Sequence, residues 1–195
     1  TDDGNQLNWK LVGHLPEPLA YGVTVTCDNS MIVVGGMNND GSYGKVYRVT
    51  LVDGKAEVST LPSMPCSVDN MAGALVGKHL YIAGGAMDGK ASNRVLRLDL
   101  DNISAGWKDI KSFPGMVRVQ PVAGSMGDNR FCLFGGFAPA ANGEEAKLSM
   151  DGCVYDETTD EWELVEGPKD DQGEPLFVGG GTGINLTKDQ LLVMG

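Results

Sequence analysis

Three apolar runs in this chain each stop on two adjacent glycines: "SMIVVGGM", "HLYIAGGA" and "RFCLFGGF". The pairs begin at Gly35, Gly84 and Gly135, and a fourth run, "QLLVMG", reaches Gly195 where a further pair would begin, so the steps are 49, 51 and 60 residues. A second landmark keeps the same step: Trp9, Val58 in a tryptophan slot, Trp107 and Trp162, at intervals of 49, 49 and 55. Two landmarks sharing one period confine the chain to a repeated unit of about fifty residues, in which each unit covers its apolar faces by stacking on its neighbours.

Every unit contains four strand-like runs. In the first they fall at 20–28, 31–35, 45–51 and 56–60, ahead of Leu61-Pro62. The second unit repeats them as "DNMAGALVG", "HLYIAG", "NRVLRLDL" and "GWKDIKSF", and the third as "VQPVAGSMG", "RFCLFG", "DGCVYDE" and "EWELVEG". Turn dipeptides close the units at Leu15-Pro16, Leu61-Pro62, Phe113-Pro114 and Gly167-Pro168. With 28 glycines, nine prolines and no long helical period, the chain reads as all-β. Four antiparallel strands at this period are the pattern of a kelch-type β-propeller blade. The expected architecture is three complete four-stranded blades, at 17–62, 63–114 and 115–168, with partial blades at 1–16 and 169–195. Because "NWKLVGHLP" reads as a lone fourth strand and "LLVMG" as a second one, the segment is expected to belong to a longer ring of six or seven blades, whose remaining blades complete it. An isolated piece is expected to aggregate or to pair its open edges with a copy of itself. The glycine pairs should let the backbone pass close to the next blade, while Tyr47, Leu96, Tyr155 and the tryptophan slot fill the space between sheets.

Charge narrows the choice of partner. A net charge of -11 argues against nucleic acid or an anionic membrane, so an acidic ligand would need its own local arginine. No apolar stretch approaches the roughly 18 residues of a membrane-spanning helix. Cys27, Cys66, Cys132 and Cys153 lack metal-binding spacing, and three of them sit in apolar runs, so free buried thiols are expected. His14 and His79 stand alone in the sequence, so neither a metal nor a cofactor is expected.

In a blade the loop before the first strand and the loop after the second open on one face, over the central channel. The lead-in segments place Tyr21, Asp69 with Asn70, Arg118 with Gln120, and Phe177 there. One carboxylate, one guanidinium, amides and aromatics suit a small polar ligand, with Arg118 able to grip a carboxylate through two hydrogen bonds. The structural alternative is that Asp69 and Arg118 pair with each other or cap their own turns. Glu144 and Glu145 could form an acid/base pair, but between Gly143 and Lys147 they read better as a solvated loop tip. "GGGTG" at 179–183 lacks the lysine and helix of a phosphate cradle and reads as close backbone packing.

Beyond the generic repeat, "PLAYGVTVTCDNSMIVVGGMNNDGS" followed by "KVYRVTLVDGKAEVSTLPSMP" resembles the closing blade of bacterial sialic acid mutarotases, the N-acetylneuraminate epimerases. "DNMAGALVGKHLYIAGG" resembles their opening blades, an order similar to the cyclically permuted branch of that family. The resemblance implies a six-bladed propeller that interconverts the anomers of sialic acid, a small sugar acid as partner and a periplasmic or secreted location. It further implies proton donation and removal around the ring oxygen and anomeric hydroxyl, with an arginine on the sugar carboxylate. The family's catalytic glutamate and arginine lie in a "GE…R" segment that "GGFAPAANGEE" does not match, so the catalytic residues are expected beyond Gly195. Asp69 and Asn70 match an Asp-Gln pair of the family's channel, whereas Val68 and Leu19 stand where the family carries arginines. The alternative function is a non-catalytic kelch module that binds a glycan or a protein.

Overall fold

The computed structural model describes residues 8–141 and 143–195. Sheet one runs Val23–Cys27, Ser30–Val34, Val46–Val52 and Lys55–Leu61. Sheet two runs Ala72–Val76, His79–Ala83, Val95–Asp99 and Trp107–Ile110. Sheet three runs Val122–Met126, Arg130–Phe134, Asp151–Asp156 and Glu161–Glu166. A hairpin of Thr182–Thr187 and Gln190–Met194 follows. In each sheet the order in space is the order in sequence and every pairing is antiparallel, so each unit is a meander. The fold is an all-β, kelch-type propeller built of stacked blades, as the period requires.

Stacking explains the burial pattern. In sheet two, His79–Ala83 is covered on both sides: Leu80 and Ile82 join a cluster with Val23, Val25, Ile32 and Val34 of sheet one. Tyr81 and Ala83, one residue out of phase, join Phe131, Leu133 and Tyr155 of sheet three. A strand has a period of two, so one short run can feed two cores only if a sheet lies on each face. Leu96 is buried between sheets one and two and Tyr155 between sheets two and three, whereas Tyr47 is buried with its hydroxyl on Glu17 of the lead-in segment. The indole N–H of Trp107 donates to the Pro62 carbonyl at 2.8 Å, and that of Trp162 to the Lys111 carbonyl at 2.8 Å, so each reaches back to the preceding blade.

The glycine pair has a steric reason, seen best at Gly84 and Gly85. Both lie in the left-handed region, at φ 64° and 79°. A Cβ on Gly84 would sit 2.8 Å from the Arg118 carbonyl oxygen of the next blade, and one on Gly85 would sit 2.5 Å from the Asp69 carbonyl oxygen of its own blade. The first glycine admits the neighbouring blade and the second admits the blade's own lead-in segment.

Two expectations are modified. The first strand begins at Val23 rather than residue 20, because Tyr21 turns left-handed at φ 58° and breaks the extended run. The expected partial blade at 1–16 has its first seven residues outside the described ones, and residues 8–16 form no strand. Val12 accepts one hydrogen bond from the Ala56 N–H at 2.8 Å, while Trp9 is 91% exposed. A fourth strand needs a third to pair with, and the described residues contain none ahead of it. All four cysteines are buried and unpaired, and burial pushes the Cys132 thiol up to about 11 and Cys153 up to about 12.

Candidate functional site

Tyr21, Asn70, Gln120 and Gly180 occupy the same place in four successive units, just ahead of the first strand. All four are left-handed, at φ 58°, 52°, 52° and 67°. The Asn70 N–H donates to the Tyr21 carbonyl at 2.9 Å, the Gln120 N–H to Asn70 at 2.7 Å and the Gly180 N–H to Gln120 at 2.8 Å. This belt of backbone bonds ties each blade to the next. It accounts for the left-handed dihedrals of Asn70, Gln120 and Gly180, since an extended residue there would not direct its N–H to the preceding blade. Backbone held in so sparsely populated a region at three non-glycine positions marks a place where the surrounding structure imposes geometry.

The lead-in segments and exit loops share this face. Ala20 bridges Met37, Asp69 pairs with Ala86, and Val119 bridges Phe137, so each exit hairpin adds to its own blade's lead-in. Where the lead-in segments meet lies a cavity of 280 Å³ lined by Tyr21, Asn70, Met71, Gln120, Pro121 and Gly180, with no cationic side chain in its wall.

The sequence-derived candidates separate into three groups. Tyr21, Asn70 and Gln120 meet at this mouth, with Gln120 Nε2 donating to Asn70 Oδ1 at 3.0 Å. Asp69 sits directly behind them, 6% exposed; it accepts from Asn70 Nδ2 at 2.6 Å and from the Ser42 hydroxyl of the preceding blade's exit hairpin. Phe177 lies outside the cavity wall, 39% exposed, with its ring against Gly179.

Arg118 is placed elsewhere than the expectation put it. Its side chain is 1% exposed and its Nη1 donates to Asp151 Oδ1 at 3.0 Å and to the Gly135 carbonyl at 3.2 Å, with the guanidinium 5.2 Å from the Phe113 ring centroid. Its ion partner is Asp151 rather than Asp69, and it does not line the cavity. The position equivalent to Arg118 is Leu19 in the first unit, Val68 in the second and Val178 in the fourth, and the two valines are buried. An arginine there must bring its own countercharge, and Asp151 supplies it, held in turn by the Ser149 hydroxyl at 2.5 Å.

Asp151 is a residue that sequence reasoning passed over. Its signal was a paired change within the repeat: the third unit has Arg118 where the others are aliphatic, and Asp151 where the first two carry Lys45 and Arg94. Glu157 was also passed over. It lies 2.8 Å from His79 Nδ1 and accepts the Tyr81 hydroxyl, so His79 does have an acidic partner, 78 residues away in sequence. Glu144 pairs with Lys147 at 2.9 Å on the surface, and that bond holds its carboxyl below the usual range. Gly180 of "GGGTG" belongs to the belt, and a Cβ on Gly183 would lie 2.5 Å from the Ala123 carbonyl oxygen, which is the close packing expected there. Among the described residues no three histidine, cysteine or acidic side chains converge as metal ligands, and no helix is long and apolar enough to cross a membrane.

Residues 61–195 match the family model for N-acetylneuraminate epimerase, a stretch that contains Asn70, Gln120 and Gly180. The chain belongs to the N-acetylneuraminate epimerase family. An N-acetylneuraminate epimerase of Haemophilus influenzae (strain PittEE) is 29% identical over 140 residues, covering 67% of this chain and 36% of the relative. One from Yersinia enterocolitica is 31% identical over 111 residues, covering 56% of this chain and 27% of the relative. A Kelch domain-containing protein of Vibrio cholerae is 31% identical over 106 residues, covering 54% of this chain and 28% of the relative. The chain therefore spans about a third or less of the length of these relatives.

Proposed function

We propose that the protein to which this chain belongs is a sialic acid mutarotase, interconverting the anomers of N-acetylneuraminate at the channel mouth. The observation that carries this reading is the family match across residues 61–195, which takes in three of the four belt residues. Anomer exchange opens the ring C–O bond at the anomeric carbon and closes it on the other face. A proton leaves the anomeric hydroxyl as one reaches the ring oxygen, and both return on closure, with no net redox change. The amides of Asn70 and Gln120 and the phenol of Tyr21 are suited to hold sugar hydroxyls or the acylamino group while this occurs.

In this reading the acid/base pair and the cation for the sugar carboxylate come from parts of the protein outside the described mouth. The described mouth offers neutral groups only, with Asp69 engaged behind it and Arg118 neutralised by Asp151. A periplasmic or secreted location belongs to the same proposal. The test is NMR magnetisation exchange between the two anomers with the full-length protein, which should speed interconversion above the buffer rate. The Vibrio relative's description as a Kelch domain-containing protein favours a second reading, a non-catalytic module that binds a glycan or a protein. Saturable sugar binding by calorimetry without faster exchange would select it.

A further inference from the structure

Asp69 is buried, and a carboxylate offers only acceptors. Its Oδ2 takes the Ser42 hydroxyl, and its Oδ1 faces the Asn70 side chain at 2.6 Å. Only the NH2 end of the Asn70 amide can meet a carboxylate at that distance, so the Asn70 orientation follows from charge. Asn70 Oδ1 is thereby turned to Gln120, 3.0 Å away, and only Nε2 of Gln120 can donate to it. The end left over is Gln120 Oε1. It lies on the Gly180 side of the mouth, 3.7 Å from where a Cβ on Gly180 would stand. The left-handed belt fixes the backbones from which both amides extend.

We propose that Asp69 is a positioning residue that sets the polarity of two successive amides, so that Gln120 presents its carbonyl oxygen to a hydroxyl or acylamino N–H of the bound sugar. The proposal rests on the functional reading above for its ligand, though not for the relay itself. Donor-bearing ligands are thus selected by a side chain they do not touch.

The test compares Asp69→Leu, Asp69→Asn and wild type in the full-length protein. Asp69→Leu removes the acceptor that orients Asn70. It should abolish exchange protection of the Asn70 and Gln120 side-chain amide protons by NMR, and raise KM for N-acetylneuraminate about fivefold to tenfold, the value of one hydrogen bond, with kcat within twofold. Asp69→Asn should keep the protection and hold KM within twofold, because its Oδ1 still accepts from Asn70 while the Ser42 hydroxyl turns to accept from its Nδ2. Unchanged protection in Asp69→Leu overturns the relay. A KM in Asp69→Asn as high as in Asp69→Leu also overturns it, by making the carboxylate itself a ligand contact. The NMR readout needs no sugar, so intact protection differences without anomer exchange would sustain the relay and remove only the assigned reaction.

Discussion

Replacing Asp151 by alanine leaves Arg118 charged, 1% exposed and without its countercharge. Removing one partner of a buried ion pair costs about 3–5 kcal/mol, because the remaining charge stays desolvated. Asp151 is itself 48% exposed, so water can enter part of the vacated space and the expected cost is the lower end, about 3 kcal/mol. At an m-value of about 3 kcal/mol/M in urea, the unfolding midpoint of the full-length protein should fall by about 1 M. The double variant Arg118→Val, Asp151→Asn removes both charges, restores the aliphatic character of Leu19, Val68 and Val178, and should return to within about 1 kcal/mol of wild type. Its sugar affinity should match wild type within twofold, since Arg118 does not line the mouth. A midpoint shift under about 0.3 M for Asp151→Ala would refute the buried-pair account. So would a tenfold loss of sugar affinity on Arg118→Val with stability unchanged, because the arginine would then be a ligand contact.

The remaining predictions concern the packing that positions the channel. Gly84→Ala drives a Cβ to 2.8 Å from the Arg118 carbonyl oxygen and should cost about 3 kcal/mol, whereas Gly89→Ala, left-handed at φ 77° but with nothing within 4 Å, should cost about 1 kcal/mol. Equal midpoints in denaturant for the two would remove the steric reading of the pair. Trp162→Phe loses the 2.8 Å bond to Lys111 and should cost about 1–2 kcal/mol, while Trp9→Phe, at a 91% exposed site, should stay within about 0.5 kcal/mol. Burial, reinforced by its bond to Glu17, pushes the Tyr47 phenol up to about 12 from 10.0. The folded state holds this proton more tightly, so the contribution to stability is full below pH 10.0 and is lost as pH rises towards 12. Tyr47→Phe should flatten that part of the stability profile followed by denaturation at stepped alkaline pH, and an unchanged slope would count against it.

The repeat was legible in sequence because its markers are set by backbone demands. A glycine pair is required where two neighbouring segments pass within contact distance of a strand end, and Trp107 and Trp162 stand where an indole reaches the preceding blade. The common place of Tyr21, Asn70 and Gln120 in the repeat was legible too, and the three residues line one cavity. Side-chain direction was not. Asp69 and Arg118 each stand one or two residues before a belt residue, and that difference turns one behind the mouth and the other into the packing between blades. Glu157 could not be assigned to His79 from spacing, because their contact depends on how two blades stack. Residues 8–16 carried the tryptophan and Leu-Pro of a fourth strand, but a pattern of side chains does not make a strand without a partner to pair with.

The central claim is that this channel face serves a sialic acid mutarotase, and anomer exchange of N-acetylneuraminate by the full-length protein tests it most directly. NMR exchange spectra recorded at increasing protein concentration should show an interconversion rate that rises in proportion to protein and saturates with sugar. A rate equal to that of buffer at every concentration, from protein shown to be folded, would contradict the claim.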